Sequence, residues 1–175
     1  MRKILVVVDM QKDFVNGSLG SQEAQAIVQN CINKIKECDG EIFVTFDTHF
    51  DNYMETNEGK NLPVKHCIKS TDGWELDESI KEALKGKEYT EVEKYAFGSL
   101  KLPELIGDGE KQIELIGLCT DICVVSNALI LKAAFPECEI SVDASCCAGV
   151  TPELHKAALE TMKSCQIKVK GDQNV

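Results

Sequence analysis

The chain has no cationic excess. Its 19 Lys and Arg stand against 29 Asp and Glu, a net charge of −10, which argues against nucleic acid and anionic membrane surfaces as partners. It has no long apolar run: Met-Arg-Lys leads straight into Ile4–Val8, too short for a signal h-region or a membrane span. No repeat, low-complexity tract or linker interrupts it. Aromatics make up only 6% of the residues, with one tryptophan, Trp74, and there are only three histidines, so any imidazole-based metal site must draw on His49, His66 and His155.

Cysteine is plentiful instead. There are nine, at positions 31, 38, 67, 119, 123, 138, 146, 147 and 165. The number is odd, and no pair has the Cys-x-x-Cys spacing of a zinc ribbon or a thioredoxin-like site. Free thiols in a reducing cytoplasm are the expectation. Cys146 and Cys147 are adjacent and read as two thiols at a strand end, because a vicinal disulfide is strained. Most of the nine read as core residues. Cys123 is different. It follows a buried-strand pattern and a short turn, in the expected first turn of a helix, where unpaired N–H groups and the positive dipole end favour a thiolate.

The length, 175 residues, suits one domain spanning 1–175. Strand and helix patterns alternate. Ile4–Val8 is a β-branched run of the kind buried on both faces. Ala24, Ile27, Val28, Cys31, Ile32 and Ile35 predict a helix over 24–38, ended by Asp39-Gly40. Strands are expected over 41–46, 89–94, 112–118, 139–144 and 166–169, and helices over 76–84, 100–106, 121–134 and 151–165. Residues 170–175 read as a polar tail. Between 47 and 74 lies a long polar stretch with no period, of the kind that is functional or disordered. Six strands alternating with helices predict an α/β three-layer sandwich with a mostly parallel sheet.

In such a fold, sites form at the carboxyl ends of strands. Asp9, Asp47, Lys94 and the Cys119–Cys123 turn fall at four of those ends. Taken singly, each has a plainer use: Asp9 as a turn cap, Lys94 as a solvated charge, Cys123 as core. Together they make a set in which Asp9 accepts the thiol proton, Lys94 steadies the charge and Cys123 attacks a substrate. Asp47 and His49, two apart on an extended segment, point the same way. With His66 further along the loop, and Glu58 as a fourth donor, they offer the nitrogen and oxygen ligands that suit zinc, manganese or iron. His155 reads as a surface residue of the last helix.

These segments resemble the isochorismatase-like cysteine hydrolases, and within them the nicotinamidase/pyrazinamidase branch. Val7-Val8-Asp9-Met10-Gln11-Lys12-Asp13-Phe14 is similar to the family's opening strand and aspartate. Glu93-Lys94-Tyr95-Ala96-Phe97 resembles its lysine segment. Gly117-Leu118-Cys119-Thr120-Asp121-Ile122-Cys123-Val124 resembles its nucleophile turn, with Cys119 where alanine is common. Asp47-Thr48-His49 and Leu62-Pro63-Val64-Lys65-His66-Cys67 resemble the metal-site segments of nicotinamidases.

The resemblance implies a catalytic triad of Asp9, Lys94 and Cys123. It also implies an oxyanion hole from the backbone N–H groups of Cys119 and Cys123, and a cis peptide at Leu118–Cys119. The implied metal ligands are Asp47, His49 and His66, with Glu58 matching a ligand of only some members. Phe14 and Tyr95 are read as aromatic lining of a substrate pocket, with core packing an equal alternative. The tryptophan that nicotinamidases often carry three residues before the last metal histidine is here Pro63.

The implied activity is metal-assisted hydrolysis of a small amide, nicotinamide first, through a Cys123 thioester, with a divalent metal (zinc foremost) and no nucleotide cofactor. The alternatives are another small amide or carbamoyl substrate, or a non-enzymatic binding subunit, against which the intact triad and metal set speak. A homo-oligomer is expected from the resemblance alone.

Overall fold

The computed structural model describes residues 1–171. Six parallel strands form one sheet in the order β3-β2-β1-β4-β5-β6. They are β1 (Arg2–Val8), β2 (Glu41–Asp47), β3 (Tyr89–Lys94), β4 (Lys111–Leu118), β5 (Glu139–Ala148) and β6 (Lys168–Lys170). The helices are α1 (Lys12–Val15), α2 (Gln22–Ala26), α3 (Val28–Glu37), α4 (Asn57–Asn61), α5 (Glu78–Leu84), α6 (Lys101–Ile106), α7 (Val125–Ala134) and α8 (Pro152–Ser164). β1 shows how one strand serves two cores. Its alternate residues Leu5 and Val7 pack with Ile32, Ile35, Ile80 and Leu84 from α3 and α5. Ile4, Val6 and Val8 pack with Leu102, Ala128, Leu131 and Met162 from α6, α7 and α8. The expected three-layer α/β sandwich is the result.

The chain runs outward from β1 to β2 and β3, then returns to place β4 on the other side of β1. The carboxyl ends of β1 and β4 therefore flank the point where the winding reverses, the usual crevice of open α/β sheets. Close approach there demands glycine at one position. Gly117 has φ +117, and a Cβ on it would lie 2.1 Å from the Val8 carbonyl oxygen.

Several boundaries differ from expectation for identifiable reasons. The single helix expected over 24–38 is two, because the Ser21 hydroxyl accepts from Ala24 N and starts α2 early, and Ile27 then bonds back to Gln25 O. β5 runs to Ala148 rather than 144, across a register shift that pairs Leu115 with Val142 but Gly117 with Cys147. The 47–74 stretch holds α4, capped by Thr56, and two 3-10 turns, Tyr53–Glu55 and Asp72–Trp74. Buried Tyr53 and Cys67 anchor it, and Trp74 packs on Phe46 and donates to Thr48 Oγ1 at 3.0 Å. Lys170 belongs to β6, and residues 172–175 of the expected tail lie outside the described residues. All nine cysteines, including Cys146 and Cys147, are free thiols. Among the described residues no helix is long and apolar enough to cross a membrane.

Candidate active site

β1, β2, β3 and β4 deliver Asp9, Asp47, Lys94 and the Cys119–Cys123 turn to one edge of the sheet. Lys94 is the hub. Its fully buried ammonium lies 2.7 Å from Asp9 Oδ2 and 2.9 Å from Asp47 Oδ1, and it donates to Cys123 Sγ at 3.3 Å and to the Ala96 carbonyl at 3.2 Å. Burial alone would favour a neutral amine. The charges of Asp9 and Asp47 overcome that and hold the Lys94 pKa well above its ordinary value.

Asp9 is oriented from its other oxygen. Thr45, fully buried on β2, donates to Asp9 Oδ1 at 2.6 Å. Oδ2 faces Lys94 but has no well-aligned hydrogen-bond donor, so it retains capacity to take a proton. Burial lifts the Asp9 carboxyl above the usual range, against the pull of Lys94 and Thr45. The same burial, reinforced by the Asp9 charge, pushes the Cys123 thiol well above its ordinary value, against the pull of Lys94.

That direction favours the protonated thiol, in keeping with Asp9 as the acceptor of its proton. Cys123 sits in a π-helical turn, Thr120–Val124, that precedes α7, with Val124 N bonded to Cys119 O at 3.0 Å. The Leu118–Cys119 peptide is cis, and among the described residues no acceptor takes the Cys119 N–H.

Beside this hub, Asp47, His49, Glu58 and His66 bring four donor atoms within 4.8 Å of one another. His49 Nε2 lies 2.9 Å from Asp47 Oδ2 and 3.4 Å from Glu58 Oε1, and His66 Nε2 lies 3.4 and 3.6 Å from the same two oxygens. A tetrahedral ion with bonds of about 2.0–2.1 Å would have donor–donor edges of roughly 3.3 Å. The four side chains therefore fit a divalent ion. His66 Nδ1 donates to the Val64 carbonyl at 2.8 Å, which leaves Nε2 as the lone-pair nitrogen aimed at the set. Asp47 joins the two halves of the site, with Oδ1 toward Lys94 and Oδ2 toward the histidines.

Both halves open on a cavity of about 420 Å³. Cys119 and Cys123 form one wall with Leu118 and Ile122, and Asp47, Glu58 and His66 form another. Phe14 lines it as expected. Tyr95 does not. It points outward, stacks on Phe50 at 6.0 Å and donates to Glu93, and Phe97 from the same segment lines the cavity instead. His155 is half-buried rather than on the open surface, with Nδ1 2.7 Å from Thr120 Oγ1.

Two supporting residues escaped the sequence reading. Thr45 is one. Gln11 is the other: its side chain accepts from Asp47 N at 2.8 Å and donates to Asp47 O at 2.9 Å and Trp74 O at 2.8 Å. A polar residue two positions past the strand-end aspartate was the available signal.

The isochorismatase domain family model matches residues 3–171. The chain belongs to the isochorismatase family. As a member it is a hydrolase of small amides, in keeping with the thiol, carboxylate and lysine at its strand ends. The isochorismatase-like chain is similar in structure to the nicotinamidase/pyrazinamidase of Bacillus subtilis, at 25% identity and a TM-score of 0.81, over 97% of this chain and 100% of that one. It is similar to the pyrazinamidase of Pyrococcus horikoshii, solved in complex with zinc, at 28% identity and 0.79, over 97% and 98%. The N-carbamoylsarcosine amidase of Thermoplasma acidophilum, at 24% identity and 0.77, over 100% and 99%, shares the fold. Among curated proteins no sequence match is found.

Proposed function

We propose that this isochorismatase-family chain is a metal-assisted cysteine amidohydrolase that converts nicotinamide and water to nicotinate and ammonia. The observation that carries this is the shared cavity: a thiol with its carboxylate and lysine on one side, a two-histidine, two-carboxylate set on the other. Asp47, His49, Glu58 and His66 would hold a divalent ion, zinc foremost, which would supply a fixed positive charge for anchoring the ring amide beside Cys123. Anchoring turns the reaction into one between pre-positioned groups.

Asp9 takes the Cys123 proton as the sulfur attacks the carboxamide carbon. Lys94 holds the charge that develops between them. The N–H groups of Cys119 and Cys123 receive the oxyanion, each typically worth about 3 kcal/mol. Asp9 then returns its proton to the departing nitrogen, and ammonia leaves a thioester on Cys123. Asp9 next takes a proton from water, whose oxygen attacks the thioester carbon, and the acid is released as the thiol is restored.

Pro63, in place of a ring-stacking tryptophan, favours a second reading, hydrolysis of another small amide or carbamoyl compound. A carbamoyl amino acid would bring its own carboxylate into a cavity lined by Asp47 and Glu58 and, among the described residues, by no arginine or lysine. That supports an uncharged ring amide over it. Ammonia release is to be measured on nicotinamide, pyrazinamide and N-carbamoyl amino acids, with metal analysis of the same sample. Turnover of the two ring amides by metal-loaded protein is expected; turnover of carbamoyl compounds alone would overturn the assignment.

A further inference from the structure

Asn127 lies on α7, one turn beyond Cys123, and is fully buried. Every polar atom of its side chain has a partner, and the partners belong to two different segments. Nδ2 donates to the Cys123 carbonyl at 2.8 Å and, more weakly, to the Phe97 carbonyl at 3.4 Å. Oδ1 accepts from Ser99 N at 2.9 Å. The 95–99 segment follows Lys94 directly, and its Ala96 carbonyl is one of the acceptors of the Lys94 ammonium. Its Phe97 lines the substrate cavity. β3 and β4 are not neighbours in the sheet, since β2 and β1 lie between them. No direct ladder between β3 and β4 therefore sets the distance between Lys94 and Cys123.

We infer that Asn127 is a positioning residue that clamps the Lys94-bearing segment to the nucleophile turn and so sets the 3.3 Å contact between Lys94 and Cys123. The inference rests on the proposed roles of those two residues. The amide is suited to the task because it donates and accepts at once. A hydroxyl at the same position can bond to the carbonyl four residues back on its own helix, but it cannot also reach across to Ser99 N.

Asn127→Leu and Asn127→Ser separate the two halves of the clamp. In both, kcat for ammonia release from nicotinamide is expected to fall by roughly 10- to 100-fold, the scale of an ångström-level misplacement, while KM changes less than about threefold. Alkylation of Cys123 by iodoacetamide, measured without substrate, is expected to change in rate in both variants, and thermal unfolding to show a cooperative fold. A folded Asn127→Leu protein with wild-type kcat overturns the inference. So does an Asn127→Ser protein with wild-type kcat, since the helix-side bond alone would then suffice, and so does failure of both variants to fold, which would make Asn127 a fold determinant. If the wild-type protein releases no ammonia from any amide, the proposed function fails instead, and the alkylation rates still report on the clamp.

Discussion

Replacing Lys94 with methionine keeps an unbranched stem in this buried position and removes the charge. Asp9 then loses its 2.7 Å ion partner in a fully buried position. Breaking one side of a buried pair typically costs about 3–5 kcal/mol. A cap follows from protonation. A carboxyl with an ordinary pKa near 3.9 is neutralised at pH 7 for roughly 4 kcal/mol, at about 1.4 kcal/mol per pH unit, so Asp9 takes up a proton rather than stay charged. Asp47 keeps His49 and His66 as partners.

The sign follows. Asp9 in the variant has a folded-state pKa raised further above its unfolded value, so the folded state binds the extra proton and loses stability as pH rises. Because the wild-type Asp9 carboxyl already lies above the ordinary range, the loss at pH 7 stays below about 4 kcal/mol, and it shrinks by up to about 1.4 kcal/mol for each pH unit of acidification. For a chain of this size each kcal/mol lowers Tm by roughly 2–4 °C, so the fall at neutral pH is at most about 8–16 °C, read by calorimetry across pH. Adding Asp9→Asn removes the stranded carboxyl and should recover part of the loss, a coupling of about 2–3 kcal/mol. A pH-independent loss in Lys94→Met, with Asp9→Asn adding a further independent loss, would refute the buried ion-pair argument.

Three other outcomes are expected. The raised Asp9 pKa places the acid limb of kcat/KM above the ordinary aspartate range, with activity lost as pH falls through it; a limb in the ordinary range contradicts it. Thr45→Val removes the 2.6 Å donor to Asp9 Oδ1. A hydrogen bond to a charged group is worth about 1.5–3 kcal/mol, so the acid limb should move up by about one to two pH units, whereas Thr45→Ser should keep it in place. Chelation, or His49→Ala, should suppress nicotinamide hydrolysis while leaving Cys123 open to alkylation; full activity in chelated, metal-free protein would discount the ligand set.

The sheet and its helices were legible because β-branched runs such as Ile4–Val8 and the 3.6-residue spacing of 28–35 are strong periodic signals. Asp9, Asp47, Lys94 and Cys119–Cys123 were legible as strand-end residues, and the structure places them together. What the sequence hid was set by contacts between distant segments. Thr45 and Gln11 look like ordinary polar residues until β1 and β2 lie side by side. The choice between Tyr95 and Phe97 as cavity lining turns on which way the chain turns after Lys94. The burial and the Asp9 charge that push the Cys123 pKa up, against the pull of Lys94, likewise exist only once the strand ends are side by side.

The central claim is a thioester on Cys123, and acid-quenched intact mass spectrometry during nicotinamide turnover tests it most directly. The predicted result is a transient mass increase of one nicotinoyl group less a hydrogen, mapped by peptide digestion to Cys123 and absent in Cys123→Ala, which also releases no ammonia. Ammonia release by Cys123→Ala at the wild-type rate, with no adduct on the wild-type chain, would contradict it.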